Sequence, residues 1–395
     1  MGRTVPHLSR RALVAGGAAC GFARAAGAAP ATPFGPLGRP SWSPDSPQAA
    51  AAAKGLAYGT AVPSQLLGRD AGFRQAVARG CGLVVCNTEM KMGTVFPAPG
   101  RTEFAGADAV VRFARGNGQR LRGHTLVWHG ALPPWVEPLL ARSNAFQAED
   151  FLRRWIGTVA GRYRGQIETW DVLNEVLAGY GPVRRADGLR ETPWLAALGP
   201  DYVDLAFRIL HETDPAAAGT WNEDALEHDV DWMVARRTRV LKRLEGMRAR
   251  GVPIRRFGIQ SHLVSTLPFD QKGFRRFLAE VGQLGVGVEI TEFDIDDKAF
   301  PAGSEARDRG VADLARRYLD TVLDEPAVLD VVTWGLFDAD TWMNDHPDHR
   351  RPDGLPQRPL PLDAMLRPKP FWHALTKAFR DAPDHSANRA RLRHA

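Results

Sequence analysis

Short runs of apolar and β-branched residues alternate along this chain with longer amphipathic stretches. Eight such runs predict β-strands, at residues 56–62, 82–90, 120–128, 167–175, 219–224, 256–263, 285–294 and 331–337. The stretches between them predict helices. In residues 230–248, for example, Met233, Val240, Leu244 and Met247 recur at helical spacing while arginines fill the opposite face.

Eight alternations of strand and helix predict an α/β fold, a closed (β/α)8 TIM barrel forming a single domain at residues 55–380. An open doubly wound sheet is the alternative. Such a fold typically has a glycine-rich, phosphate-binding turn after the first strand. The sequence GTAVPSQ at that position is not glycine-rich.

The segments outside the barrel predict export and a linker. Residues 1–28 place adjacent arginines before a small apolar run, which is typical of a twin-arginine signal peptide, with a disordered basic tail as the alternative. The mature protein is then expected in the periplasm or outside the cell. Residues 29–54, rich in Pro and Ala, predict a linker or arm outside the core, and residues 381–395 predict a frayed polar tail.

Composition fits a globular protein, because 44% of the 395 residues are hydrophobic and 24% are charged. The net charge of +6 falls to +2 once the four arginines of the signal are removed, so no nucleic-acid partner is expected. Cys81 and Cys86 would lie about 16 Å apart on one extended strand, too far for a disulfide. We expect two buried thiols, and no pattern of Cys or His suggests a metal.

Two glutamates mark the predicted chemistry. Glu175 ends the strand-like run WDVLNE, and Glu292 lies near the end of VGVEITEFD. The carboxyl ends of strands in a parallel barrel converge on the face that carries active sites. Paired carboxylates across a small gap are the machinery of glycoside hydrolysis.

Other polar residues gather at the same strand ends. Alternation along a strand would place three pairs each on one face, namely His124 with Trp128, Gln260 with His262, and Glu292 with Asp294. Asn174 and Glu175 are adjacent, so a regular strand would point them to opposite faces. If both serve one site, the strand must bulge or end there.

The motifs GHTLVWH, WDVLNE, GIQSHL and EITEFD, on the third, fourth, sixth and seventh predicted strands, resemble those of glycoside hydrolase family 10. The resemblance runs from about Lys54 to Phe379. It implies a (β/α)8 barrel and endo-1,4-β-xylanase activity on xylan or xylo-oligosaccharides. We further expect a monomer that needs neither a metal nor an organic cofactor. No membrane segment is expected in the mature protein, because the apolar run of the signal is too short to span a bilayer.

The same resemblance implies the residue roles. Glu175 is the expected acid/base and Glu292 the nucleophile, about 5 to 5.5 Å apart as in retaining enzymes, with the charge of Glu292 keeping Glu175 protonated. His262 is expected to hydrogen-bond the nucleophile, Asp294 to fix the tautomer of His262, and Asn174 to bind the sugar 2-hydroxyl. The remaining substrate-binding residues are expected to be Lys91, His124 and Gln260 on the glycone side, and Trp128, Trp334 and Trp342 as flat faces for sugar rings.

The chain departs from the family pattern in NTEMKM, where Asn87 and Thr88 stand in place of an expected Glu and Asn. This departure bears on substrate preference. A related retaining β-1,4-glucanase is therefore an alternative, since it would also place an Asn-Glu pair after its fourth strand. A non-catalytic sugar-binding barrel is another, but such a protein has no need for both carboxylates.

Overall fold

The computed structural model describes residues 34–35, 37–181 and 183–394, so the predicted signal at residues 1–28 lies outside the described residues. The strands are β1 (Ala57–Val62), β2 (Leu83–Cys86), β3 (Arg120–Gly123), β4 (Thr169–Asn174), β5 (Ala218–Glu223), β6 (Ile254–Ile259), β7 (His262–Leu263), β8 (Gly287–Ile295) and β9 (Val328–Thr333). All pair in parallel. Because β6 pairs with β8 and β9 with β1, eight strands close into a ring, and the short β7 adds to β8 beside it. The predicted (β/α)8 barrel is confirmed.

Helices surround this ring. They are α1 (Pro47–Ala52), α2 (Ser64–Arg69), α3 (Ala71–Gly80), α4 (Met92–Val95), α5 (Ala105–Gly116), α6 (Val136–Arg142), α7 (Ala145–Arg162), α8 (Pro193–Leu198), α9 (Tyr202–Thr213), α10 (Asp231–Ala249), α11 (Gln271–Gln283), α12 (Ser304–Leu323), α13 (Pro370–Asp381) and α14 (Ser386–His394). Capping marks several starts. At α7, Asn144 accepts from the backbone of Gln147 and Gln147 accepts from that of Asn144.

The strands are buried on both faces, with every residue of β1, β4, β5, β8 and β9 shielded from solvent. The thiols of Cys81 and Cys86 are free and buried, as predicted. Among the described residues, no helix is long and apolar enough to cross a membrane.

Two predicted strands are interrupted near their carboxyl ends. The strand expected at residues 120–128 ends at Gly123, and its pairing with β4 resumes where the Leu126 amide donates to the Asp171 carbonyl at 2.8 Å. The strand expected at residues 256–263 is split into β6 and β7 by Ser261, whose φ of 65° is left-handed. The alternation of side chains along a regular strand therefore does not continue across either break. It cannot explain why His124 and Trp128, or Gln260 and His262, lie on the same side.

The described part of the predicted arm, from Phe34 onward, packs against the barrel, which corrects the expectation that this segment lies outside the core. Helix α1 is capped by Ser46 and buries Gln48. The Gln48 side-chain oxygen accepts from the Tyr58 amide at 2.9 Å, tying α1 to the first barrel strand. Farther back, the ring of Phe34 lies 5.4 Å from that of Tyr163. Small alanines allow α1 to approach the barrel closely.

The predicted frayed tail instead forms α14, which contacts the amino-terminal ends of the strands. His385 is buried, and its two ring nitrogens lie 2.9 Å from the carbonyl oxygens of Val328 and Leu323. From α14 itself, Arg389 donates to the Leu329 carbonyl at 2.8 Å and to Asp330 Oδ1 at 3.0 Å. Basic residues that look solvent-exposed in the sequence are thus satisfied by the strand ends.

Replacing Arg389 by methionine is expected to lower the free energy of unfolding by about 1.5 to 3 kcal/mol, since hydrogen bonds to a charged group are lost at a largely buried site. Asp330 keeps its second partner, Arg120, which limits the loss. The control is Arg391→Met on the same helix, at an exposed position, with a change within about 0.5 kcal/mol. Urea unfolding of both variants is the measurement, and equal midpoints would show that α14 does not stabilise the barrel.

Candidate active site

Glu175 follows the last residue of β4 and takes a left-handed conformation, with φ of 55°. The strand therefore ends where the sequence required, and both Asn174 and Glu175 face the same pocket. Trp128 Nε1 donates to Glu175 Oε2 at 3.0 Å, and Gln260 Nε2 donates to Oε1 at 3.1 Å. Asn174 Nδ2 lies 3.3 Å from the same Oε1. Three side chains thus hold this carboxyl group.

Glu292 lies on β8 and is held by a different set of donors. Asn222 Nδ2 donates to Glu292 Oε1 at 2.8 Å, and His262 Nε2 lies 3.4 Å from Oε2. The other nitrogen of His262 lies 2.7 Å from Asp294 Oδ1. Trp342 Nε1 donates to the second oxygen of Asp294 at 2.8 Å. The chain of contacts from Trp342 to Glu292 fixes the orientation of the carboxylate.

The electrostatics of this side favour an ionised Glu292. Burial alone would raise the pKa of Glu292, but the hydrogen bond from His262 and the positive charges nearby outweigh it and lower the pKa to about 2. Burial likewise opposes a charge on His262, yet Asp294 and Glu292 raise the pKa of His262 well above its usual value. The two carboxylates thus favour the charged form of the ring, and the 2.7 Å contact with Asp294 orients it.

Glu175 has the opposite bias. Burial raises its pKa most, the charge of Asp224 raises it further, and the hydrogen bonds from Gln260 and Trp128 offset part of the rise. The charge of Glu292 also raises the pKa of Glu175, but less than these. The sequence reading made Glu292 the cause of protonation, and this needs correction because burial and Asp224 contribute more.

A second part of the pocket brings a cation against two indoles. Lys91 Nζ lies 4.9 Å from the ring centroid of Trp128 and 5.6 Å from that of Trp334. The ring of His124 lies 5.1 Å from that of Trp334. Burial lowers the pKa of Lys91, and the charges of Glu292 and Glu175 oppose that shift. Flat apolar faces beside hydrogen-bond donors suit a sugar ring.

His124 is positioned from beneath by a buried ion pair inside the barrel. Its Nδ1 lies 2.9 Å from Asp171 Oδ2, and the guanidinium of Arg122 donates to both oxygens of Asp171. Arg122 also reaches Glu289 Oε2 at 2.5 Å. Asp171 is thus a supporting residue that orients His124.

The structure brings all the residues predicted from the sequence into one connected set of side-chain contacts. They are Glu175, Glu292, His262, Asp294, Lys91, His124, Trp128, Asn174, Gln260, Trp334 and Trp342. Their individual roles stay predictions. Among the described residues, no group of three or more His, Cys, Asp or Glu side chains could hold a metal ion.

Sequence reasoning missed Asn222. Its Nδ2 donates to both Glu292 Oε1 and Asn174 Oδ1, at 2.8 and 2.9 Å, so one amide bridges the two halves of the site. Thr291 donates to Asn222 Oδ1 at 2.7 Å and fixes which way the amide points. The signal available was an amide near the end of a strand, as with Asn174. It was overlooked because the four motifs that carried the resemblance lie on other strands.

Comparison with known proteins gives consistent matches. Residues 46–378 match the family model for glycosyl hydrolase family 10. The beta-1,4-xylanase of Dictyoglomus thermophilum is 32% identical over 298 residues, 72% of this chain and 78% of that protein. Endo-1,4-beta-xylanase C of Paenibacillus barcinonensis is also 32% identical, over 81% of this chain, but the match spans only 30% of that longer protein.

Solved structures agree. Native xylanase 10B from Thermotoga maritima superposes with a TM-score of 0.76 at 26% identity, over 85% of this chain and 98% of that one. Xylanase 10B from Thermotoga petrophila, solved in complex with xylobiose, gives the same TM-score and identity, over 85% and 97% of the two chains.

Proposed function

This chain belongs to glycosyl hydrolase family 10, and we propose that it is an endo-1,4-β-xylanase that cuts xylan with retention of anomeric configuration. The observation that carries the mechanism is that the site shifts the pKa values of its two glutamates in opposite directions. Glu292 has a pKa lowered to about 2, while burial and Asp224 raise the pKa of Glu175. A nucleophile and an acid are thus both ready at the same pH.

In the first step, Glu292 attacks the anomeric carbon and Glu175 gives its proton to the glycosidic oxygen. The bond from carbon to that oxygen breaks, the leaving sugar departs with the proton, and a glycosyl ester forms on Glu292. The 2.8 Å hydrogen bond from Asn222 keeps the attacking carboxylate in place. Asn174 binds the 2-hydroxyl, a contact that strengthens as positive charge develops on the sugar.

In the second step, water attacks the same carbon. Esterification has removed the charge of Glu292, and Glu175, now ionised, accepts a proton from the water as it adds. The ester bond breaks and Glu292 returns as a carboxylate. His262, whose pKa Asp294 and Glu292 raise, lies against the carboxylate that re-forms there and stabilises its negative charge. Two inversions at one carbon give net retention.

The pH dependence follows from these two groups. Activity needs Glu292 ionised and Glu175 protonated, so kcat/KM on xylo-oligosaccharides is expected to rise as pH passes upward through about 2 and to fall as it passes the raised pKa of Glu175. Asp224→Asn removes a negative charge facing Glu175, so its alkaline limb is expected at lower pH. Asp231→Asn, at an exposed position on α10, is the control. An unchanged alkaline limb in Asp224→Asn would show that the charge of Asp224 does not raise the pKa of Glu175.

The substrate assignment is tested by measuring reducing ends released from β-1,4-xylan and from carboxymethyl cellulose by the full chain. Xylan is expected to be cut and carboxymethyl cellulose to be resistant. Cleavage of carboxymethyl cellulose alone would favour the glucanase alternative. The departures at Asn87 and Thr88 would then have moved the specificity.

Export through the twin-arginine route, to the periplasm or beyond the cell, is part of this proposal. It is supported by the adjacent arginines Arg10 and Arg11 before a small apolar run, and a polysaccharide substrate outside the cell is consistent with it. The monomeric state expected from the sequence stays a prediction.

A further inference from the structure

An exposed aromatic side chain lies on the loop that follows the acid/base. The side chain of Tyr180 is 86% exposed, and Tyr180 comes five residues after Glu175. Its ring meets the half-buried Trp232 edge-on, with centroids 5.6 Å apart and planes at 73°. One indole therefore supports the edge of the tyrosine ring and leaves most of its surface in water. The pair therefore offers a flat aromatic face that a sugar ring could cover.

A fully buried arginine holds this pair in place. Arg236 lies one turn after Trp232 on α10, on the same face of the helix. Its guanidinium donates to the carbonyl oxygen of Ala178, two residues before Tyr180, and to Asp224 Oδ1 at 2.6 Å. The loop that carries Tyr180 and the helix that carries Trp232 are thus joined by one buried side chain.

The order of strands places the pair across the ring from Trp334. Tyr180 follows β4 and Trp232 follows β5, whereas Trp334 follows β9, across the ring of strands. Both loops open on the face where the carboxylates lie. Because Glu175 protonates the oxygen of the departing sugar, that sugar lies against the side of the cleft from which the Tyr180 loop extends.

We propose that Tyr180, supported by Trp232, is a binding platform for a xylosyl residue of the leaving group that lies beyond the one joined to the cleaved bond. The sugar next to the cleaved bond must contact Glu175, which is mostly buried. Tyr180 is open to solvent, so we assign it to a sugar more distant from that bond. The inference rests on the proposed xylanase function and adds a subsite to it.

The test compares two substrates that differ in what occupies the leaving-group side. Xylohexaose can extend several sugars there, whereas 4-nitrophenyl β-xylobioside places only a nitrophenol. Tyr180→Ala is expected to lower kcat/KM on xylohexaose by at least about fivefold and to leave the aryl xylobioside unchanged. Tyr180→Phe keeps the flat ring and is expected to match the wild type on both substrates.

Phe146→Ala is the matched control. Phe146 is 80% exposed, in the first turn of α7, and neither substrate should respond to its loss. Equal losses on both substrates in Tyr180→Ala would assign the ring to loop structure, and no loss on xylohexaose would show that no sugar binds there. Either result overturns the platform. A wild-type protein that cuts neither substrate would instead overturn the proposed function itself.

Discussion

Replacing Glu292 by alanine is expected to lower kcat by at least about 10⁴-fold on both xylan and an aryl β-xylobioside. Both substrates need a covalent bond to the nucleophile, so a good leaving group cannot compensate. The structure supports this because the pKa of Glu292 is lowered to about 2 and Asn222 and His262 orient its carboxylate. Steady-state kinetics on the two substrates measure the loss.

Azide gives this variant a distinctive product. Alanine leaves a space where the carboxylate was, and a small anion there can attack the anomeric carbon once, with Glu175 still able to act as an acid. The expected product is the α-glycosyl azide. Glu245→Ala, an exposed position on α10, is the control and is expected within twofold of the wild type. A β-azide from Glu292→Ala would contradict the nucleophile assignment.

Replacing Glu175 by alanine is expected to lower kcat/KM on xylan by about 10² to 10⁴-fold, the range for loss of general acid catalysis. With 4-nitrophenyl β-xylobioside the first step needs little proton donation, so it stays fast. The second step still lacks its base, because Glu175 has to deprotonate the attacking water. The time course of nitrophenol release is expected to show a burst followed by slow turnover.

Azide should rescue this variant in the opposite stereochemical sense. Because azide needs no base, it attacks the glycosyl ester on Glu292 directly and gives the β-glycosyl azide. The decisive comparison is therefore between the products of Glu175→Ala and Glu292→Ala. Equal losses on xylan and on the aryl substrate for Glu175→Ala, with no burst, would show that Glu175 is not the acid/base.

The order of elements could be predicted from the sequence because each strand is a short apolar run and each helix has apolar residues at helical spacing. Where the prediction was wrong, tertiary contacts decided. The arm at residues 29–54 looks like a linker by composition, yet Gln48 finds the amide of Tyr58. The tail looks frayed, yet Arg389 finds carbonyl and carboxylate partners at the strand ends. Partners so distant in sequence leave no local pattern.

The site was predictable to a similar depth. The residues predicted from the strand-end carboxylates and the family resemblance all lie in contact with one another in the structure. The break at Ser261 and the end of β3 at Gly123 were not visible, because a left-handed serine has no sequence signature as glycine does. The cause of the raised pKa of Glu175 could not be predicted either. Asp224 follows a different strand, β5, and the burial of Glu175 depends on the packing of the whole barrel.

The measurement that tests the central claim most directly is the anomeric configuration of the first product, followed by NMR as the full chain begins to hydrolyse β-1,4-xylan. With Glu292 as nucleophile and Glu175 as acid and then base, the β-anomer is expected first, with the α-anomer appearing only as the sugar mutarotates. An α-anomer formed first would mean that water attacks directly, and would contradict a covalent intermediate on Glu292.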